Sequence, residues 1–504
     1  MVGRWLTPPT NYLNGKVVVE CLLDRRRFLE VVGASALAAT LPPRTPLAEE
    51  AESADYTVRI GNGLVELSPD HIVSTTLYNG QFPGPLIRFK EGQRTVVDIY
   101  NDTDAPELVH WHGQMISSDV DGAAEEGSPF VPAHGMRRIS FVPKPPGFRF
   151  YHTHVVPRAD LNRGTYTGQA GPVYIEPKNE SGAYDQEIFL VMKEFEPSFS
   201  RGGDMAMDML APGVPLKDLE ETGAKADEAA KGTPKGYEVG YELFSINGKR
   251  LGANEPIHVK QGERVLFHVL NASATEIRSV ALPGHVFRVV ALDGNPVPTA
   301  LDVPVLWLGT AERVSAIVEM NHPGVFVLGD LSDDDRSHGM GIVIEYAGHK
   351  GKPKWTKPKS FRWDYTQFGK AEAGIPPEAD QTIEMLIVKH NAAANGFNLW
   401  TLNGESFSME TMKPLYTIEE GRRYRIKLRN ASDDIHPLHL HRHSFELVSV
   451  GGKPTAGVIK DVVMLGGFQE IAFDFVADNP GRTLFHCHQQ LHMDFGFMAL
   501  FDYV

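Results

Sequence analysis

Cysteine is almost missing from this sequence: Cys21 and Cys487 are the only two among 504 residues. A scaffold stapled by disulfides is thereby excluded. Basic residues are also in deficit, with 49 Lys and Arg against 64 Asp and Glu and a formal charge of -15. That balance excludes a nucleic-acid partner, whose phosphates need a basic surface. Apolar runs are too short to span a bilayer, so no stable membrane insertion is expected. Long segments of helical period are missing as well. What remains is a chain too long for one core, with a size prior of roughly three domains. Its 48 glycines and 35 prolines can punctuate many short strands.

Near the start stand Arg25-Arg26-Arg27-Phe28-Leu29 and then a weakly apolar run from Val31 to Leu41. This resembles a twin-arginine export signal, so residues 1–48 are expected to be a leader cleaved near Ala48. The resemblance implies a periplasmic or secreted protein that crosses the membrane already folded. Cys21 leaves with the leader. Cys487 is then an unpaired thiol in an oxidising compartment, and a metal is the obvious protection.

Beyond the leader, β-branched and aromatic runs such as Thr95-Val-Val-Asp-Ile-Tyr100 and Arg138-Ile-Ser-Phe-Val142 alternate with turn signals. A weak repeat recurs three times. Asn79-Gly80, Asn247-Gly248 and Asn403-Gly404 each precede an extended stretch, a charged turn at Gly92, Gly262 or Gly421, and a strand ending in Asn101, Asn271 or Asn430. An all-β chain of three similar β-sandwich domains follows, at 49–178, 179–349 and 380–504, with a Lys/Pro-rich linker over 350–379.

Ten of the 20 histidines fall in four clusters: His110-Trp-His112, His152-Thr-His154, His436-Pro-Leu-His439-Leu-His441, and His486-Cys487-His488 followed by His492. On a strand, residues i and i+2 share a face, so each His-x-His pair aims two imidazoles into one space. Four pairs can surround a small polymetal site. Cys487, between two inward histidines, points to the other face. There it can meet His436 and His492 in the His2Cys geometry of an electron-transfer copper. A single His-x-His pair is more often surface or core than ligand, but four pairs with His-Cys-His are not a chance assembly. His71, His134, His258, His285 and His390 fit no pattern and are read as satisfied or surface residues, and His443 as structural.

The clusters resemble the copper motifs of the multicopper oxidases, the laccase-like group with three cupredoxin (Greek-key) domains. The match covers nearly all of the chain after the leader. Supporting phrases include Asn79-Gly-Gln-Phe-Pro83, Leu282-Pro-Gly284-His285 with Asp293-Gly294, and Lys460-Asp461-Val-Val. The resemblance implies four coppers. His110 and His439 would hold the type 2 ion; His112, His152, His154, His441, His486 and His488 the type 3 pair; Cys487, His436 and His492 the type 1 ion. It also implies oxygen as electron acceptor, reduced to water, and a small reducing substrate. A monomer is the default, since one chain can complete the cluster. Where family members carry an axial Met, this sequence has Phe497. Met498, one residue later, should point the other way, which implies a three-coordinate type 1 copper of raised potential. Asp121 resembles the family's proton-donating acid near the type 2 copper, although an ordinary acidic turn has the same local sequence. The acid many members carry in the last motif is replaced by Gln489, Gln490 and Met493, leaving Asp494 as a weak substitute.

For the electron donor, phenols or aromatic amines lead. The rival is a metallo-oxidase acting on Cu(I), Mn(II) or Fe(II), suggested by Met205, Met207 and Met209 alternating among acids, since thioethers favour Cu(I). The Asp333-Asp-Asp335 loop is expected to be solvated.

Overall fold

The computed structural model describes residues 53–504 except 179–183, 202–208, 212, 231–234, 373 and 375. The leader, Met205 and Met207 lie outside the described residues. Residues Ala54–Val504 form one compact unit, in which strands far outnumber helices.

A first sandwich sets a sheet ordered His71–Tyr78, Tyr56–Ser68, Thr95–Asn101, Gly135–Phe141 against one ordered Ile87–Lys90, Ala170–Glu176, Gly147–His152, His110–His112. Tyr56–Ser68 pairs in parallel with Thr95–Asn101 although Ile87–Lys90, between them in sequence, lies in the other sheet. Such crossing between sheets is Greek-key wiring. Val58, Ile99, Trp111 and Val173 fill the space between. A second sandwich is built on six strands that include Arg264–Asn271, Phe287–Leu292 and Arg313–Glu319. The third sets a seven-stranded sheet against five strands, in which Thr483–Cys487 lies between Met498–Tyr503 and His436–Leu440.

The Asn-Gly repeat has a structural cause. Asn79, Asn247 and Asn403 take φ of 52°, 54° and 52°, and the glycines that follow are also left-handed, the conformation that a two-residue hairpin turn demands. Each Asn also ties the turn to a neighbouring strand. The Oδ1 atoms accept from the N–H of Arg59, Val191 and Leu386 in turn. Asn101, Asn271 and Asn430, all fully buried, each donate Nδ2 to two carbonyls across the end of their sandwich.

Two features depart from the sequence expectation. Lys217–Ala229 is a helix. Its composition is polar and it buries only Leu219 and Gly223, so no apolar stripe announces it. Gly223 permits the close packing: a Cβ there would stand 2.5 Å from the Ala431 carbonyl oxygen. The segment read as a linker, 350–379, buries Trp363, Tyr365 and Phe368 in the large core shared by the second and third sandwiches. It also exchanges backbone hydrogen bonds with Met209 and Ala211.

Candidate metal centre

Strand alternation builds the centre. In His110–His112 the two imidazoles face one way, while Trp111 enters the first core. His110 lies opposite His152 on the adjacent strand. His439 pairs with His486, and Leu438 with Cys487, across two strands of the third sandwich. The eight histidines meet fully buried between the first and third sandwiches. Their donor atoms fall into overlapping sets within 4.8 Å: His112 with His152 and His488; His154 with His441 and His486; His110 with His112 and His439.

Hydrogen bonds fix which nitrogen of each ring carries the proton. Nδ1 donates to a carbonyl oxygen from His110 (Asp121, 2.9 Å), His152 (Thr153, 2.7 Å), His439 (Asp461, 2.7 Å) and His486 (Cys487, 2.8 Å). His441 Nδ1 donates to Asp121 Oδ2 at 2.9 Å, and His112 Nε2 to Asp461 Oδ1 at 3.1 Å. The other nitrogen of each ring is therefore a bare lone pair. Two such lone pairs, on His441 Nε2 and His486 Nε2, stand 3.0 Å apart, and His112 Nδ1 and His152 Nε2 stand 3.3 Å apart. Opposed lone pairs at that range require a cation between them. His110 Nε2, His439 Nε2, His488 Nε2 and both nitrogens of His154 are buried without a hydrogen-bond partner. Burial holds His112, His152, His439, His441, His486 and His488 well below the ordinary histidine range, so these rings are neutral. A neutral, all-imidazole donor set fits copper.

On the opposite face of its strand, Cys487 Sγ lies 3.6 Å from both His436 Nδ1 and His492 Nδ1. Burial pushes the thiol up, so a thiolate here needs a bound cation. Trp400 packs on both imidazoles, at ring separations of 4.7 and 4.4 Å. Phe497 closes a further side, 4.9 Å from the His436 ring. Met498 packs elsewhere, with Leu484, Met493 and Leu500. Phe497, not Met498, thus packs against the His436 side of this site.

Models described as multicopper oxidase match residues 62–180, 216–340 and 375–504. Over 447 residues the chain is 30% identical to the multicopper oxidase MmcO of Mycobacterium tuberculosis, covering 86% of this chain and 84% of that one. The chain belongs to the multicopper oxidase family. Laccase-3 of Thanatephorus cucumeris is 24% identical, over 90% of this chain and 91% of its own. The crystal structure of Fet3p, a multicopper oxidase that functions in iron import, superposes with a TM-score of 0.71 at 18% identity, over 89% of this chain and 90% of its own. The sandwiches are accordingly cupredoxin domains. As a multicopper oxidase the protein is a copper-dependent oxidoreductase that uses oxygen, and the family binds four coppers.

Around the multicopper oxidase cluster lie acids that sequence reasoning only partly found. Asp121 Oδ2 stands 3.0 Å from His110 Nδ1 and 2.9 Å from His441 Nδ1. Glu126, 3.6 Å from His441 Nδ1, is pushed well above the usual carboxylate range by burial and by Asp121. Glu125 stands 3.5 Å from His154 Nδ1, and both its oxygens are otherwise unpartnered. Glu125 and Glu126 were missed; the available signal was their position just after Asp121-Gly122. Asp494 accepts from the Arg158 N–H and the Gln490 amide, and burial pushes its carboxyl well up. His443 bonds the His441 carbonyl and Tyr503 Oη.

A cavity of about 430 Å3 opens beside His492 and Gln489. Val239, Ile277, Leu331 and Trp307 give it apolar walls, and Met209 lies among them. Glu238, Glu276, Asp330, Asp335 and Asp434 line it as well. Asp335 and Asp434 already face Arg278 and Lys389, whereas Glu238 meets the Asn398 amide. Burial and nearby acids raise Glu238 to about 8 and Glu276 to about 7. Asp335, expected in a solvated loop, is instead part of this wall.

Proposed function

We infer that the protein oxidises small aromatic donors, amine-bearing ones favoured, in the cavity beside His492, and reduces oxygen at the eight-histidine cluster. The observation that carries this reading is the cavity itself. It is far larger than one metal ion needs, apolar enough for an aromatic ring, and acidic enough to favour a cation. His436, Cys487 and His492 would hold the type 1 copper. His110 and His439 would hold the type 2 ion, with His112, His152 and His488 on one type 3 ion and His154, His441 and His486 on the other. Copper so bound supplies one-electron redox chemistry and the place where oxygen is reduced. His486 and His488 flank Cys487 in the chain, so the two sites are joined through single peptide units. Asp121 orients His110 and His441, and Glu126 beside it, its carboxyl pushed up by burial and by Asp121, would carry a proton next to the cluster.

A metallo-oxidase reading is favoured by one observation, Met209 and five carboxylates in the same cavity. Steady-state oxygen uptake with a dimethoxyphenol, a phenylenediamine, Cu(I), Mn(II) and Fe(II) separates the two. Fast turnover of the aromatic donors, indifferent to added Cu(II), supports the first. Slow turnover that rises with added copper, with Cu(I) the best donor, replaces it by the second. Every proposed ligand comes from one chain, which supports a monomer. The arginine motif at Arg25–Arg27 and the single thiol of the mature chain support twin-arginine export.

A further inference from the structure

Of the six cluster histidines whose proton a neighbour fixes, His112 alone offers Nδ1 to the cluster; the other five offer Nε2. The cause is Asp461. Its Oδ1 accepts from His112 Nε2 at 3.1 Å, and its backbone carbonyl accepts from His439 Nδ1 at 2.7 Å. One residue thus sets two rings that stack 3.8 Å apart. The carboxylate is held in place from both other sandwiches. Arg313 clasps it with Nη1 and Nη2, at 2.7 and 2.5 Å, and Arg149 Nη1 reaches Oδ2 at 3.2 Å. Asp293 Oδ2 accepts from the backbone N–H of Asp461 and Val462, and Lys460 pairs with Asp293 at 2.9 Å. Asp461, Arg149, Arg313, Asp293 and Lys460 are all fully buried. The glycine after His112 belongs to the same construction, because a Cβ at Gly113 would stand 2.6 Å from Asp461 Oδ2. A carboxylate fixed by two guanidinium groups cannot turn away or donate. His112 must therefore carry its proton on Nε2.

We propose that Asp461 is a positioning residue that selects the tautomer of His112, with Arg313 of the second sandwich as the group that holds it there. The second sandwich, none of whose described residues is among the cluster's ligands, would thereby govern how the cluster is assembled. The inference rests on His112 being a copper ligand, and its first test is made without copper so that the two can fail separately.

Copper-free protein labelled with 15N-histidine is examined by NMR, the His112 signal being assigned by its loss in His112→Gln. The expected result is a proton on Nε2; a proton on Nδ1 in the wild-type protein overturns the proposal. In Asp461→Asn the amide can present a donor to His112, so the proton should shift toward Nδ1. Copper held by the cluster should then bind about 10–100-fold more weakly, read by chelator competition. The blue band of the Cys487 site should persist, since Asp461 touches none of its residues. A merely structural role would diminish both sites together. Arg313→Lys, which keeps the charge but loses the two-point clasp, should give a mixed tautomer and an intermediate affinity. Wild-type tautomer and wild-type copper affinity in both variants would also refute the proposal.

Discussion

Replacing Phe497 by Met tests the reading of the Cys487 site most directly. Phe497 is fully buried, its ring 4.9 Å from His436 and 5.7 Å from Trp400, and its carbonyl accepts from the Cys487 N–H at 3.2 Å. The backbone bond survives the change, and the flexible thioether refills most of the ring's volume. The stability loss should stay below about 3 kcal/mol, less than for truncation to Ala. The new sulfur lies on the side of the site that now offers only an aromatic ring. An axial thioether stabilises Cu(II) more than Cu(I), and the axial ligand tunes the potential of such a site. Each tenfold preference lowers a one-electron potential by about 59 mV and corresponds to about 1.4 kcal/mol. A weak, long bond is expected to supply one to two such factors, a fall of roughly 60–120 mV. Redox titration of the blue band measures it, and Met498→Leu is the control, with no shift expected because Met498 packs in a separate cluster. An unchanged or higher potential in Phe497→Met would mean that residue 497 is not beside the metal, or that a fourth donor already is.

Cys487→Ser should abolish the blue absorption and substrate oxidation while circular dichroism stays native, since His436 Nδ1 and His492 Nδ1 can bond the buried hydroxyl; retained colour would remove the assignment. Asp121→Asn weakens one charge-assisted hydrogen bond, from His441, while the bond from His110 to the Asp121 carbonyl survives. At about 1 kcal/mol, copper should bind to the cluster roughly 5-fold more weakly in a chelator competition. Glu238 and Glu276, raised to about 8 and about 7, are neutral at low pH and charged above those values. The KM of an aromatic donor carrying a fixed quaternary ammonium group should therefore fall as pH rises through that range, while that of a neutral phenol should not follow, and Glu238→Gln should remove the upper part of the trend. Changing Met205, Met207 and Met209 together should leave phenol oxidation intact but weaken Cu(I) oxidation if the metallo-oxidase reading holds; unchanged Cu(I) kinetics would remove the methionines' support for it.

Much of the site is legible in the sequence because a strand's period of two is a local rule. It anticipates His486 and His488 on one side with Cys487 on the other, and the parting of Phe497 from Met498, although the strands themselves end at Cys487 and begin at Met498. The left-handed Asn-Gly turns and the buried strand-end asparagines are likewise local demands, repeated three times, so the three sandwiches could be counted before they were seen. What tertiary structure decided lies between elements distant in sequence. The division of six imidazoles into two facing triads depends on how the first and third sandwiches dock. The choice of nitrogen on His112 depends on Asp461, 349 positions away, and on an arginine from the second sandwich. Glu125 and Glu126 look like solvated acids in the sequence and are buried only because the third sandwich covers them. The helix Lys217–Ala229 packs through a glycine and one leucine, too small a face to leave a pattern. The acidic cavity beside His492 has walls from both the second and third sandwiches. Local periodicity fixes which way a side chain points; only packing decides what it meets.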